Sequence, residues 1–92
     1  MTRAVVRTVT IVNARGLHAR ASAKFVKAAA QYDAEVKVTR DGSTVDAQSI
    51  MGLMMLGAGP GSELEIAAEG PDAESAVDAL CQLIADRFDE EK

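Results

Sequence analysis

His18 is the sole histidine among 92 residues, and it follows a glycine-bearing stretch, Asn13 to Leu17, and precedes a run of alanines. An imidazole nitrogen with a free lone pair is a nucleophile. At the mouth of a helix it would also meet backbone N–H groups that have no intrahelical acceptor. Those amides and the aligned peptide dipoles behind them attract anions. Arg20, two residues on, can bring a guanidinium to the same anion. A nucleophile, free amides and a cation within a few residues suit reversible attachment of a phosphoryl group to the ring. Each charge-assisted hydrogen bond is worth roughly 1.5–3 kcal/mol and the dipole about 0.3–1 kcal/mol. Every ~1.4 kcal/mol spent on holding a product shifts its transfer tenfold. So sparse a site would form the adduct and still release it. Taken alone, a lone histidine at a helix start is more often a structural cap than a reactive group. One histidine and one distant cysteine, Cys81, are too few ligands for a metal, and no cofactor is expected.

Ser49 opens a second short apolar stretch, where a hydroxyl caps a helix for about 1 kcal/mol. A phosphate on it would meet the positive helix end and add roughly two negative charges beside an apolar surface. Met51, Met54 and Met55, with Ile50, Leu53 and Leu56, exceed what a short helix buries on one side. Ile50, Met51, Leu53 and Met54 are therefore expected to offer a patch on which partner proteins dock, methionine being adaptable to several surfaces.

The elements that must position these residues follow from periodicity. Val5 to Val12 is β-branched and predicts a strand; Ala19 to Tyr32, with Phe25, Val26 and Ala29 at helical spacing, predicts an amphipathic helix. Glu35 to Thr39 alternates, Asp41-Gly42 supplies a left-handed turn, and Ser43 to Asp46 returns as a second strand. Ser49 to Leu56 predicts a short helix. Leu64, Ile66 and Ala68 alternate with Glu63, Glu65 and Glu69 in a fourth strand. Gly70-Pro71-Asp72 is expected to cap a last helix, whose apolar stripe runs from Ala73 through Leu80 and Ile84 to Phe88. The order β-α-β-β-α-β-α predicts an α+β fold, an open-faced two-layer β-sandwich in which three helices cover one face of a four-stranded antiparallel sheet. A single domain over residues 1–92 is expected.

Composition excludes several classes. Apolar residues make up 48% of the chain and charged ones 26%, the balance of a globular protein with a core of Val, Ile, Leu, Met and Ala. A net charge of −4 argues against nucleic acid as a partner. No run is long enough to span a membrane, no signal-peptide stretch opens the chain, and a lone cysteine in an apolar helical pattern fits a buried thiol in a reducing compartment. A cytoplasmic monomer is expected. Before Asp33 the charged residues are all basic, whereas the C-terminal third is acidic and ends in Asp89, Glu90 and Glu91.

Gly16-Leu17-His18-Ala19-Arg20, followed by Ala23, Phe25 and Val26, resembles the active-site segment of the HPr family. These are the histidine-containing phosphocarriers of the bacterial phosphoenolpyruvate-dependent phosphotransferase system, together with the nitrogen-branch (NPr) carriers. Gln48-Ser49-Ile50-Met51-Gly52-Leu53-Met54 and the later Leu56-Gly57 resemble the family's second motif. The resemblance implies a stoichiometric carrier rather than an enzyme. His18 would accept a phosphoryl group on Nδ1 from Enzyme I and pass it to Enzyme IIA domains, with Arg20 and the amides of Ala19 and Arg20 holding the phosphoryl oxygens. It also implies regulation by a kinase acting on Ser49, although the usual basic residue before that serine is Gln48 here. The family proline after the arginine is replaced by Ala21, which leaves one more N–H at the helix start and should change rates or adduct lifetime rather than abolish function. The alternatives are the nitrogen branch and a non-catalytic regulatory protein docking through the Ser49 helix.

Overall fold

The alternating and β-branched segments pair into one sheet. In the computed structural model, which describes residues 4–90, strands β1 (Val5–Thr10), β2 (Glu35–Arg40), β3 (Ser43–Asp46) and β4 (Glu63–Glu69) lie antiparallel in the order β1-β4-β2-β3. The register sets Val36 beside Ala68, Val38 beside Ile66 and Val9 beside Leu64. One face of the sheet is thereby apolar, and Leu64, Ile66, Ala68, Val36 and Val38 are buried in it. Glu63, Glu65 and Glu69 project from the other, open face. Helices α1 (Ala19–Ala29), α2 (Ile50–Met55) and α3 (Ala73–Ala85) cover the apolar face, with Phe25, Leu53, Val77, Leu80 and Ile84 completing the core. This is the expected two-layer α+β sandwich.

The β2–β3 hairpin turns on Asp41 and Gly42, both left-handed at φ 49° and 83°, as a two-residue turn requires. Element ends differ from expectation for identifiable reasons. Strand β1 stops at Thr10, where Ile11 drops into the core and its N–H donates to the Ser62 carbonyl at 2.9 Å. Helix α1 stops at Ala29; Gln31 and Tyr32 then donate to Ala28 and Ala29, three residues back, which tightens the final turn. Asp72 precedes α3 but makes no side-chain cap; its carboxylate accepts from the Asp33 N–H at 2.8 Å and ties the α1–β2 connection to that helix start. Cys81 is half-buried, and burial raises its thiol pKa although Arg7 beside it pulls the other way.

The last apolar stripe does not continue as one helix. Helix α3 ends at Ala85, and Arg87, Phe88 and Asp89 all adopt left-handed backbone, at φ 57°, 54° and 62°. Phe88 nevertheless reaches the core and is fully buried. The Lys24 ammonium of α1 donates to the Phe88 carbonyl at 2.6 Å, so this terminal strap is pinned across α1.

Candidate active site

The loop that delivers His18 is held from several sides. Gly16 has φ +65° and lies so close to the neighbouring loop that a Cβ there would fall 2.3 Å from the Ala58 carbonyl oxygen and 2.9 Å from the Gly59 Cα. Only glycine suits both demands. The Leu17 N–H donates to that same Ala58 carbonyl at 2.9 Å, and the buried Asn13 side chain donates from Nδ2 to the Gly16 carbonyl at 2.9 Å. Buried Ser22, one turn into α1, donates its N–H to the His18 carbonyl at 2.9 Å and its hydroxyl to that of Leu17 at 3.3 Å.

His18 is the N-cap of α1, in extended backbone at φ −74° and ψ 179°. Its Nδ1 accepts the Arg20 N–H at 3.2 Å, so that lone pair faces the open end of the helix. On the other edge of the ring, Nε2 hydrogen-bonds the carboxylate of Glu90. A ring nitrogen that accepts an amide hydrogen is unprotonated, so these partners assign the hydrogen to Nε2. The second Glu90 oxygen accepts from Asn13 Nδ2 at 3.1 Å. Desolvation pushes the Glu90 carboxyl pKa up. The hydrogen bonds from His18 and Asn13 outweigh this, with help from the nearby charges of His18 and Arg15, and hold it below the ordinary carboxylate value. Arg20 is exposed and makes no salt bridge among the described residues; Ala19 is exposed and Ala21 buried.

Ser49 caps α2 as its sequence position suggests, with Oγ accepting the Gly52 N–H at 2.9 Å. The Arg40 guanidinium closes the other end, donating to the Leu56 carbonyl at 2.9 Å. Met51 and Met55 are 70% and 81% exposed, and Ile50 and Met54 are each 40% exposed. Leu53 is a correction. It is fully buried against the core, so its side chain takes no part in the apolar surface, and Met55 stands there instead. Among the described residues no cluster of three His, Cys, Asp or Glu could hold a metal.

A family model described as the PTS HPr component phosphorylation site matches residues 5–86. This chain belongs to the HPr family. It is 54% identical to the phosphocarrier protein HPr of Cupriavidus necator over 84 residues, 91% of this chain and 94% of that protein. It is 42% identical to the phosphocarrier protein NPr of Shewanella violacea, covering 91% and 92% of the two chains. The crystal structure of HPr from Thermoanaerobacter tengcongensis superposes with a TM-score of 0.91 at 42% identity, over 96% of this chain and 99% of that one. The protein is thus a phosphocarrier of the phosphotransferase system.

Within this HPr fold, His18, Ala19 and Arg20 come together at one helix start. Ser49 starts a different helix, packed alongside α1. Two site residues were missed from sequence. Asn13 looked like an ordinary loop residue, and Glu90 lies 72 positions from the histidine it contacts. Their one available signal was the acidic C-terminus set against the basic N-terminal third; Glu91, part of that run, lies outside the described residues.

Proposed function

We propose that this chain shuttles phosphoryl groups stoichiometrically, taking each onto Nδ1 of His18 from the phosphohistidine of Enzyme I and giving it to Enzyme IIA domains of sugar permeases. Phosphoenolpyruvate is the ultimate donor. The observation that carries this reading is the aim of the Nδ1 lone pair at the open end of α1, where the Arg20 N–H lies 3.2 Å away. When phosphorus bonds to Nδ1, the Arg20 and Ala19 amides turn to the phosphoryl oxygens, and the exposed Arg20 guanidinium closes over them. Each cycle returns the protein unchanged and converts no small molecule by itself, so it acts as a carrier and not as an enzyme. Ala21 in place of the family proline leaves the helix start less constrained and alters the lifetime of the adduct. The HPr relatives of Cupriavidus necator and Pseudomonas aeruginosa, at 54% and 51% identity against 42% for the NPr of Shewanella violacea, support the sugar branch over the nitrogen branch.

Ile50, Met51 and Met54, with Met55, form the apolar surface on which the partner proteins dock. Ser49 is the regulatory site: a kinase-added phosphate would replace its cap to Gly52 and place charge at the edge of that surface. The protein works as a monomer in the cytoplasm, which suits its single free thiol; among the described residues no helix is long and apolar enough to cross a membrane. Incubation with phosphoenolpyruvate and Enzyme I should give an acid-labile, base-stable adduct that Enzyme IIA discharges and that His18→Ala cannot form. A full adduct on His18→Ala would refute the site.

A further inference from the structure

The strained segment at the end of the described chain has a single product: it lays the Glu90 carboxylate on the ring of His18. Three consecutive non-glycine residues in the left-handed region are held only where the surroundings enforce them. Here the enforcement comes from buried Phe88, from Lys24 on the Phe88 carbonyl, and from buried Asn13 on the carboxylate itself. The same Asn13 amide also holds the Gly16 carbonyl, so one side chain fixes both the histidine loop and its carboxylate partner. Only 17% of the Glu90 side chain and 18% of the His18 side chain remain accessible.

We propose that Glu90 is a positioning residue of the transfer reaction, keeping the proton on His18 Nε2 through both charging and discharge. The inference rests on His18 being the phosphoryl acceptor. In charging, the Nδ1 lone pair forms the new N–P bond while the donor's N–P electron pair returns to the donor imidazole. The Nε2 hydrogen stays in place, and the ring's new positive charge is balanced by the Glu90 carboxylate. In discharge, the acceptor's lone pair attacks phosphorus and the N–P pair returns to Nδ1, so His18 leaves as a neutral imidazole. Without the Nε2 hydrogen it would have to leave as an imidazolate, a far worse leaving group. No proton need move in either step, provided the carboxylate keeps Nε2 protonated. The charged residues nearest His18 in sequence are cationic: Arg15 in the loop, and Arg20 and Lys24 in α1. Each of them works against a cationic ring, and among the described residues Glu90 is the carboxylate that contacts it.

The test compares full-length wild type with Glu90→Gln, which keeps size and an oxygen acceptor but removes charge, and with Glu90→Asp. Transfer rates are followed with Enzyme I and Enzyme IIA, together with ¹⁵N spectra of phosphorylated His18 across pH. Loss of a charge-assisted bond predicts transfer slowed about ten- to a hundredfold at saturating partner, with KM unchanged. It also predicts loss of the Nε2 hydrogen at lower pH in phosphorylated Glu90→Gln, and partial rescue of both properties by Glu90→Asp. Wild-type turnover in Glu90→Gln, a defect confined to KM, or an unchanged pH dependence of the Nε2 hydrogen would overturn the inference. These outcomes leave phosphorylation of His18 intact, whereas an adduct on His18→Ala removes the functional reading itself.

Discussion

Gly16→Ala and Gly57→Ala form a matched pair that isolates the close approach behind the histidine. Gly16 and Gly57 have nearly the same backbone, at φ +65° and +64°, so an alanine at either carries the same left-handed cost of about 1–2 kcal/mol. Both also gain about 0.4–1 kcal/mol from a stiffer unfolded chain. They differ in what surrounds the new methyl group. At Gly57 nothing lies within 4 Å; at Gly16 the Ala58 carbonyl oxygen lies at 2.3 Å and the Gly59 Cα at 2.9 Å, both of them backbone. Relieving that clash requires the loops to part by roughly an ångström, which breaks the 2.9 Å bond from the Leu17 N–H to the same carbonyl. A buried bond lost in this way costs about 1–3 kcal/mol. Gly16→Ala should therefore be less stable than Gly57→Ala by about 1–3 kcal/mol, or roughly 5–20 °C in Tm for a domain of this size. Paired urea and thermal unfolding by circular dichroism measures the difference. Because the loop carries His18, the yield of phosphohistidine should fall in Gly16→Ala and hold in Gly57→Ala. Stabilities within about 0.5 kcal/mol of one another would refute the reasoning, since that is the scatter of ordinary surface changes.

Ser49→Ala removes the α2 cap and should cost about 1 kcal/mol in urea unfolding while leaving His18 phosphorylation intact. Leu53→Ala should cost about 2–5 kcal/mol, because it empties a fully buried site. Met51→Ala, by contrast, should change stability by less than about 0.5 kcal/mol and weaken binding of Enzyme I, measured by calorimetry. The Glu90 carboxyl, held below its ordinary value when folded, contributes stability above the unfolded carboxylate value of about 4.3 and loses it as pH falls through the folded value. A ¹³C titration of the Glu90 side chain should show that lowered midpoint, and Asn13→Ala should move it back upward.

The contrast between Leu53 and Met51 shows where sequence periodicity stopped carrying information. The long segments announced themselves: alternation in Glu63 to Ala68 had one consistent buried face, and Asp41-Gly42 could close only a tight hairpin. Helix α2 has six residues, five of them large and apolar, so no polar position marks its solvent side. Its phase is set from outside the helix. Gly52 packs against β3, where an added Cβ would come within 3.1 Å of the Val45 Cβ, and with that edge inward Leu53 and Leu56 face the core while Met51 and Met55 face solvent.

The site divides along the same line. His18 and Arg20 were legible because a helix start gathers its functional groups within a few consecutive residues, and local chemistry alone defines them. Glu90 was illegible because nothing near it in sequence needs a histidine. It reaches the ring through a chain reversal that helical patterning contradicts: the stripe from Ala73 to Phe88 reads as one continuous helix, yet the backbone turns left-handed at Arg87. Burial of Phe88 explains both facts. The aromatic ring fills the end of the apolar stripe, and the left-handed path that carries it there brings the following carboxylate to Asn13 and His18. If Phe88 is the anchor, Phe88→Ala should release the Glu90 contact as well as the core packing. His18 ¹⁵N shifts would then move toward those of Glu90→Ala, and unchanged shifts would show that Asn13 alone holds the carboxylate in place.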